Sequence, residues 1–379
     1  MGFNRINSQK VFFELLRAGL WEKDVSLLPY GEVDYFTLQE IAKEQSVEGL
    51  IAAGLGHVKD TKLVKNNVVP FIGKTVHLEK RNEAMNAFIV ELVEKMRSAG
   101  LFFLLIKGQG VAQCYERPLW RSSGDVDLLL DADNYEKAKA FLSPLASKKD
   151  AEGMYSKHFG MTINSWTVEL HGSLRCGLST RVDNQLDRIH RDVLIGDDVR
   201  VWQNGGIDVY LPSAANDVII VFTHFLKHFY KGGIGLRQIC DWCRLLWTFK
   251  SSFDVDLLKQ RLKRAGLISE WKAFGAFAVE YLGMPVDAMP LLDGGVLEKD
   301  MRLRRKAERI KDFVMMSGNF GQNRDMSYYH KYPYLIRKAI SFCMRLGDLG
   351  RHAMIFPMDS LRFMPRIVFN GVRSALRRE

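Results

Sequence analysis

LFFLLIKGQG at residues 101–110 and GDVDLLL at residues 124–130 decide how this chain folds. The first opens with a short apolar run closed by Lys107-Gly108, which suits a buried strand. A short helix is expected over GVAQCYE, then a loop holding Pro118. VDLLL at 126–130 reads as a second strand. Side chains at i and i+2 share a strand face, so Asp125 and Asp127 point one way while Val126, Leu128 and Leu130 point into a core. NYEKAKAFL at 134–142 follows as a helix, with Asp133 or Asn134 as its cap. HFGMTI and TVELHG add two more strand-like runs. Strands and helices in alternation give an α/β or α+β unit.

Outward from this unit the pattern is helical on both sides. Val11, Phe12, Leu15, Leu16 and Leu20 recur at helical spacing, as do Leu78, Met85, Phe88, Ile89, Leu92, Val93 and Met96, up to a stop at Gly100. After Pro212, Ser213 is placed to cap a helix through Val218, Ile219, Val221, Phe222 and Phe225. Gly232, Gly233 and Gly235 break it, a second helix spans about 236–249, and more follow to about 316. Residues 334–379 read as basic amphipathic segments broken at Pro357 and Pro365. Four regions result: helical 1–100, a mixed strand-and-helix unit 101–212, helical 213–330 and a basic tail 331–379.

Two carboxylates on one strand face repel each other unless a cation sits between them. The apolar run directly after Asp127 argues against a solvated surface turn. Glu169, flanked by Val168 and Leu170, repeats the logic on another strand. Oxygen-only ligands suit Mg²⁺, with Mn²⁺ as the alternative, and three carboxylates suit a two-metal clamp on a phosphoryl group. Upstream, Lys107-Gly108-Gln109-Gly110 is a strand-to-helix turn whose glycines let backbone approach a phosphate, and Lys107 and Arg121 bring positive charge.

These stretches, in this order, resemble the nucleotidyltransferase superfamily that shares the DNA polymerase beta palm. Within it the chain is most similar to the bacterial family called uncharacterised nucleotidyltransferases. That family has an LKG-like turn, a proline and an arginine before a DxDLLV-like strand, and a later ELH. Here these stand as IKG, Pro118 with Arg121, GDVDLLL and VELH. The resemblance implies that Asp125 and Asp127 are metal ligands. It implies that Glu169 is a third ligand or the base for an acceptor hydroxyl, and that Gly108 and Gly110 form the phosphate turn. Gln109 departs from the Gly or Ser usual after the first glycine. A nucleoside triphosphate is the implied substrate. The acceptor is left open among a small molecule, a sugar, a protein side chain and an RNA end.

The family often carries spaced histidines and an Arg–Asp pair in its C-terminal helices. Here those are His224, His228, Arg237 and Asp241, each pair four apart on one helix face. With His171 they are candidates for contact with nucleotide or acceptor, or for a polar network between helices. Cys240-Asp-Trp-Cys243 with His224 and His228 also spells H-x3-H-x11-C-x2-C, which admits a zinc reading. The apolar surroundings of both cysteines favour buried thiols instead.

Composition bounds the rest. Of 379 residues, 47% are apolar and 26% charged, which excludes wholesale disorder. No apolar run approaches the roughly 20 residues of a membrane-spanning helix, and the N-terminus lacks a secretory h-region. Five cysteines form a sparse, odd set suited to a reducing compartment, so a cytoplasmic location is expected. The net charge of +10 is concentrated at the end, where residues 331–379 hold ten basic and three acidic side chains. Interleaved with Phe342, Met344, Phe356, Phe363, Met364, Ile367 and Phe369, they fit an anionic membrane surface or pack on the protein itself. The rival to an enzyme is an adaptor: a degenerate palm with a tail that docks to membrane or nucleic acid.

Overall fold

The structure is a computed structural model and describes residues 2–60, 65–152, 157–195, 199–323 and 331–376. Four helices come first: α1 (Gly2–Trp21), α2 (Tyr35–Glu44), α3 (Glu48–Gly56) and the long α4 (Lys65–Ser98). Gly100 ends α4 in a left-handed conformation (φ 72°), and Leu101 N–H returns to Met96 O at 3.0 Å. The chain then enters β1 (Leu104–Ile106), the short α5 (Gly108–Ala112), β2 (Asp125–Leu129) and α6 (Ala132–Leu142). The cap of α6 is Asp131, whose side chain accepts from Asn134 N–H. It stands upstream of the expected Asp133 or Asn134 because the strand ends earlier and leaves Asp131 with extended backbone.

The strands β3 (Lys148–Lys149), β4 (His158–Ile163) and β5 (Trp166–His171) complete a five-stranded sheet of order β1-β2-β5-β4-β3. Only the β2–β5 pair is parallel; the other pairs are antiparallel. This mixed sheet among helices is an α+β fold. Next come α7 (Thr180–Ile195) and a separate hairpin of β6 (Val199–Asn204) and β7 (Ile207–Pro212). Gly205 and Gly206 both have positive φ in its turn. The helical half follows: α8 (Ala214–Lys231), α9 (Leu236–Thr248), α10 (Val255–Ala265), α11 (Ile268–Leu282), α12 (Gly294–Lys299), α13 (Met301–Ser317), α14 (Tyr334–Ile355) and α15 (Pro357–Leu376).

One face of the sheet is apolar. Val126, Leu128, Leu130, Val168 and Leu170 pack there with Met85, Ile89 and Met96 of α4 and with Val209 and Leu211 of the hairpin. The other face carries the polar side chains of β2, β4 and β5 toward the helical half. That half holds its own core, centred on Phe222, Phe225, Phe229, Trp242, Trp271 and Phe274. Each large side chain fully buried there contributes about 1.5–3 kcal/mol.

The tail belongs to this second core. His352, Phe356 and Phe363 are buried, with Phe229 and His352 ring centroids 4.6 Å apart and Tyr230 and Phe363 at 4.8 Å. Pro357 does begin a new helix, but Pro365 lies inside α15 without ending it. Outward, Phe342, Met358, Leu361 and Phe369 stay exposed. Ser213 stands at the cap position of α8 yet makes no side-chain capping bond. No described helix is long and apolar enough to cross a membrane.

Candidate active site

Strand register builds the site. Asp127 pairs with Glu169 across β2–β5, and His158 pairs with His171 across β4–β5. With period-2 alternation, Asp125, Asp127, Glu169, His171 and His158 all stand on one face. One carboxylate oxygen from each of Asp125, Asp127 and Glu169 lies within 4.8 Å of the others. Asp125 has no hydrogen bond or ion pair among the described residues. The negative charge of Asp127, then burial, raises its carboxyl above the usual range. That mutual repulsion is what a bound cation would relieve, so the donor set fits a divalent metal.

The remaining charges are arranged around the acids. Lys107 Nζ lies 2.6 Å from Asp127 Oδ1, and His171 Nε2 donates to the same oxygen at 2.7 Å. His158 Nε2 donates to Glu169 Oε2 at 2.8 Å. Burial works to raise both carboxyls, but their partners outweigh it and hold them below the usual range: the Lys107 charge and a hydrogen bond from His171 for Asp127, hydrogen bonds from His158 and His171 for Glu169. Burial alone would lower the Lys107 ammonium; Asp127 and Asp125 overcome it and raise the pKa.

Above this floor opens a cleft of about 310 Å³. Its far wall is α8, which presents Ile220, Thr223, His224, Lys227 and His228, with Arg175 and Phe320 at other edges. Lys227 has no hydrogen bond or ion pair among the described residues. Burial, then the charge of Lys107, lowers its pKa. Burial likewise pushes His224 well down and takes His228 to about 3, so both rings are neutral near pH 7.

Residues 31–283, about two thirds of the chain, match the family described as uncharacterised nucleotidyltransferase. The chain belongs to that family. No curated protein and no solved structure matches it. The family match holds all three acids, α8 and α9, whereas Phe320 and the tail lie beyond it.

Not every residue singled out in this nucleotidyltransferase sequence faces the cleft. Arg121 is buried in a two-pronged pair with Asp241, its Nε and Nη2 each 2.7 Å from a carboxylate oxygen. Tyr115 OH adds a third bond to Asp241 at 2.8 Å. Arg237 Nη1 donates to Ser122 O at 2.6 Å. Together these fasten the loop before β2 onto α9, so Arg121 and Asp241 position the acid-bearing strand and do not line the cleft. Gln109 is buried, taking a 3.1 Å bond to Asn82, whose amide in turn holds Leu119 O and Arg121 O. A Cβ on Gly110 would stand 2.8 Å from Leu211 Cδ2, so this glycine packs against the end of a β7 side chain. Lys107 lines the cleft; Gly108, Gln109 and Gly110 do not.

The zinc set is not brought together. His224 and His228 face the cleft, while Cys240 and Cys243 are fully buried in the helical core with thiols pushed up by burial. Sequence inspection missed His158, Arg175, Lys227 and Phe320. Lys227 was accessible from its place between two flagged histidines on one helix, and His158 from its start of a strand that pairs with VELH. Nothing in the sequence marks Phe320.

Proposed function

We propose that this family member is a Mg²⁺-dependent nucleotidyltransferase that moves a nucleoside monophosphate from a triphosphate to an acceptor hydroxyl, releasing pyrophosphate. The observation that carries this reading is the convergence of Asp125, Asp127 and Glu169 on two paired strands, with Asp125 and Glu169 lining a cation-rimmed cleft and Asp127 buried beside them.

Asp125, Asp127 and Glu169 would hold the metal. When bound, Mg²⁺ supplies positive charge to the phosphoryl group and to the attacking oxygen. Glu169 serves better as ligand than as base, because its imidazole partners stabilise the anion and weaken its pull on a proton. Lys107 at one side of the floor and Lys227 across the cleft are placed to neutralise the triphosphate, whereas Arg175 at the cleft edge is already paired with Asp187. Lys227 suits this because no described residue forms an ion pair with its ammonium. A chain of phosphates between the acid floor and α8 would offset the cost of that half-buried ammonium. The neutral imidazole of His228 and the ring of Phe320, with centroids 4.8 Å apart, give the nucleoside an aromatic wall.

The test is a melting panel of the four ribonucleoside triphosphates with Mg²⁺ and with chelator. Stabilisation by at least one nucleotide, present with Mg²⁺ and absent with chelator, is expected. No shift with any of them would contradict the reading.

A further inference from the structure

Beside the all-carboxylate group lies a second one of different chemistry: His158, Glu169 and His171, with one ligand atom of each within 4.8 Å of the others. We infer that it is a second metal position, selective for a first-row transition dication over Mg²⁺, in which Glu169 is shared with the first.

Register makes the group. His158 and His171 face each other directly across β4–β5, and their ring centroids are 4.8 Å apart. Glu169 stands two residues before His171 on the same face, so its carboxylate reaches both imidazoles. Its Oε2 is 2.8 Å from His158 Nε2 and 3.6 Å from His171 Nε2. Ligands bound to one ion at about 2.1 Å stand roughly 3–3.5 Å apart, so an ion here would take the place of the Nε2 protons that His158 and His171 donate to Glu169 and Asp127. Opposite Glu169 on β4 is Gly160, and the Asp150 carboxylate occupies the space a side chain there would take, its Oδ2 2.6 Å from the Cβ position. His158, His171 and Glu169 all line the cleft, so an ion has a path from solvent and open coordination positions toward substrate.

Ligand type decides the metal. Mg²⁺ prefers oxygen donors, whereas imidazole nitrogen favours the transition ions. Two nitrogens and one carboxylate with open positions therefore disfavour Mg²⁺. Glu169 belongs to both groups, and a shared carboxylate places two ions about 3.5–4 Å apart, the spacing of two-metal phosphoryl-transfer sites. The inference builds on the proposed transferase reading by giving its two positions different metals.

The test is pulsed electron paramagnetic resonance on full-length protein loaded with Mn²⁺ in the presence of excess Mg²⁺, reading nitrogen coupling to the manganese. The expected result is retained Mn²⁺ with imidazole ¹⁴N modulation. His158→Gln and His171→Gln should each weaken that modulation and retain Mn²⁺ at least about tenfold more weakly, and the double variant should lose the modulation. Mn²⁺ bound with no nitrogen coupling in the parent protein would overturn the inference, whatever the variants do. So would equal coupling in parent and His158→Gln. Mg²⁺–nucleotide stabilisation without nitrogen coupling leaves the transferase reading standing and removes the second position. Nitrogen coupling without any nucleotide stabilisation does the reverse.

Discussion

Lys107 brings its ammonium to 2.6 Å from Asp127 Oδ1 on a backbone with φ 58° and ψ −147°. Residues other than glycine enter that region at a cost of about 1–3 kcal/mol. The strain is held by β1 on one side and α5 on the other, and it sets a cation beside the acids where the chain leaves the sheet.

Two substitutions separate the charge from the strain. Lys107→Ala and Lys107→Gly should both weaken nucleotide binding about tenfold or more, because each removes the ammonium. The glycine variant should be the more stable of the two by about 1 kcal/mol, since glycine adopts positive φ freely. Equal melting temperatures would show that the backbone there is unstrained.

Asp125→Asn should abolish transfer while leaving the protein as stable as the parent or slightly more so. The charge of Asp127 raises the Asp125 carboxyl, so removing one negative charge relieves repulsion in the apo protein. Calorimetric unfolding beside an activity assay measures both. A clear loss of stability would mean that Asp125 holds the fold together and is not poised for a cation.

Arg121→Ala should behave oppositely, costing about 3–5 kcal/mol by leaving the buried Asp241 carboxylate without its partner. Activity per folded molecule should fall less than in the acid variants, because Arg121 acts by fixing the loop ahead of β2. Unchanged stability with lost nucleotide affinity would return Arg121 to the phosphates.

Much of the sheet could be read from GDVDLLL and VELH, because period-2 alternation states at once which side chains share a face. Long-range pairing is where local pattern gave out. Arg121 and Asp241 are 120 residues apart and neither spacing nor charge announces that they meet. Gly110 has the appearance of a phosphate-turn glycine, yet it lies outside the cleft and packs on Leu211 of a hairpin a hundred residues on. The hairpin went unread, although Asn204-Gly205-Gly206 stands at its turn. Pro365 looked like a breaker but sits inside a helix whose neighbours are fixed by tertiary packing, which overrides local propensity.

The tail should prove part of the core. Phe363→Ala is expected to cost about 3–5 kcal/mol, whereas the exposed Phe342→Ala should stay within about 0.5 kcal/mol of the parent. Chemical denaturation of both variants checks this, and equal midpoints would mean that α15 is not docked as described.

Docking of the tail should also depend on pH. Glu270 is buried beneath α15, and burial, then the charge of Asp359, raises its carboxyl to about 8. An acid with a raised pKa contributes most below its unfolded value of about 4.3, and that contribution drains away as pH rises through the folded value. Stability should therefore decline between about pH 5 and 8 in the parent and decline less in Glu270→Gln. Parallel pH profiles would remove Glu270 as the cause.

The three-carboxylate floor is the centre of this account, and titration calorimetry of Mg²⁺–nucleotide reaches it most directly. With the triphosphate that stabilises the parent most, binding should require Mg²⁺ and should weaken at least about tenfold in Asp127→Asn, while a neutral change at the exposed Phe342 leaves it unaltered. Binding of the same strength with chelator, or in Asp127→Asn, would show that nucleotide and metal do not meet on Asp125, Asp127 and Glu169.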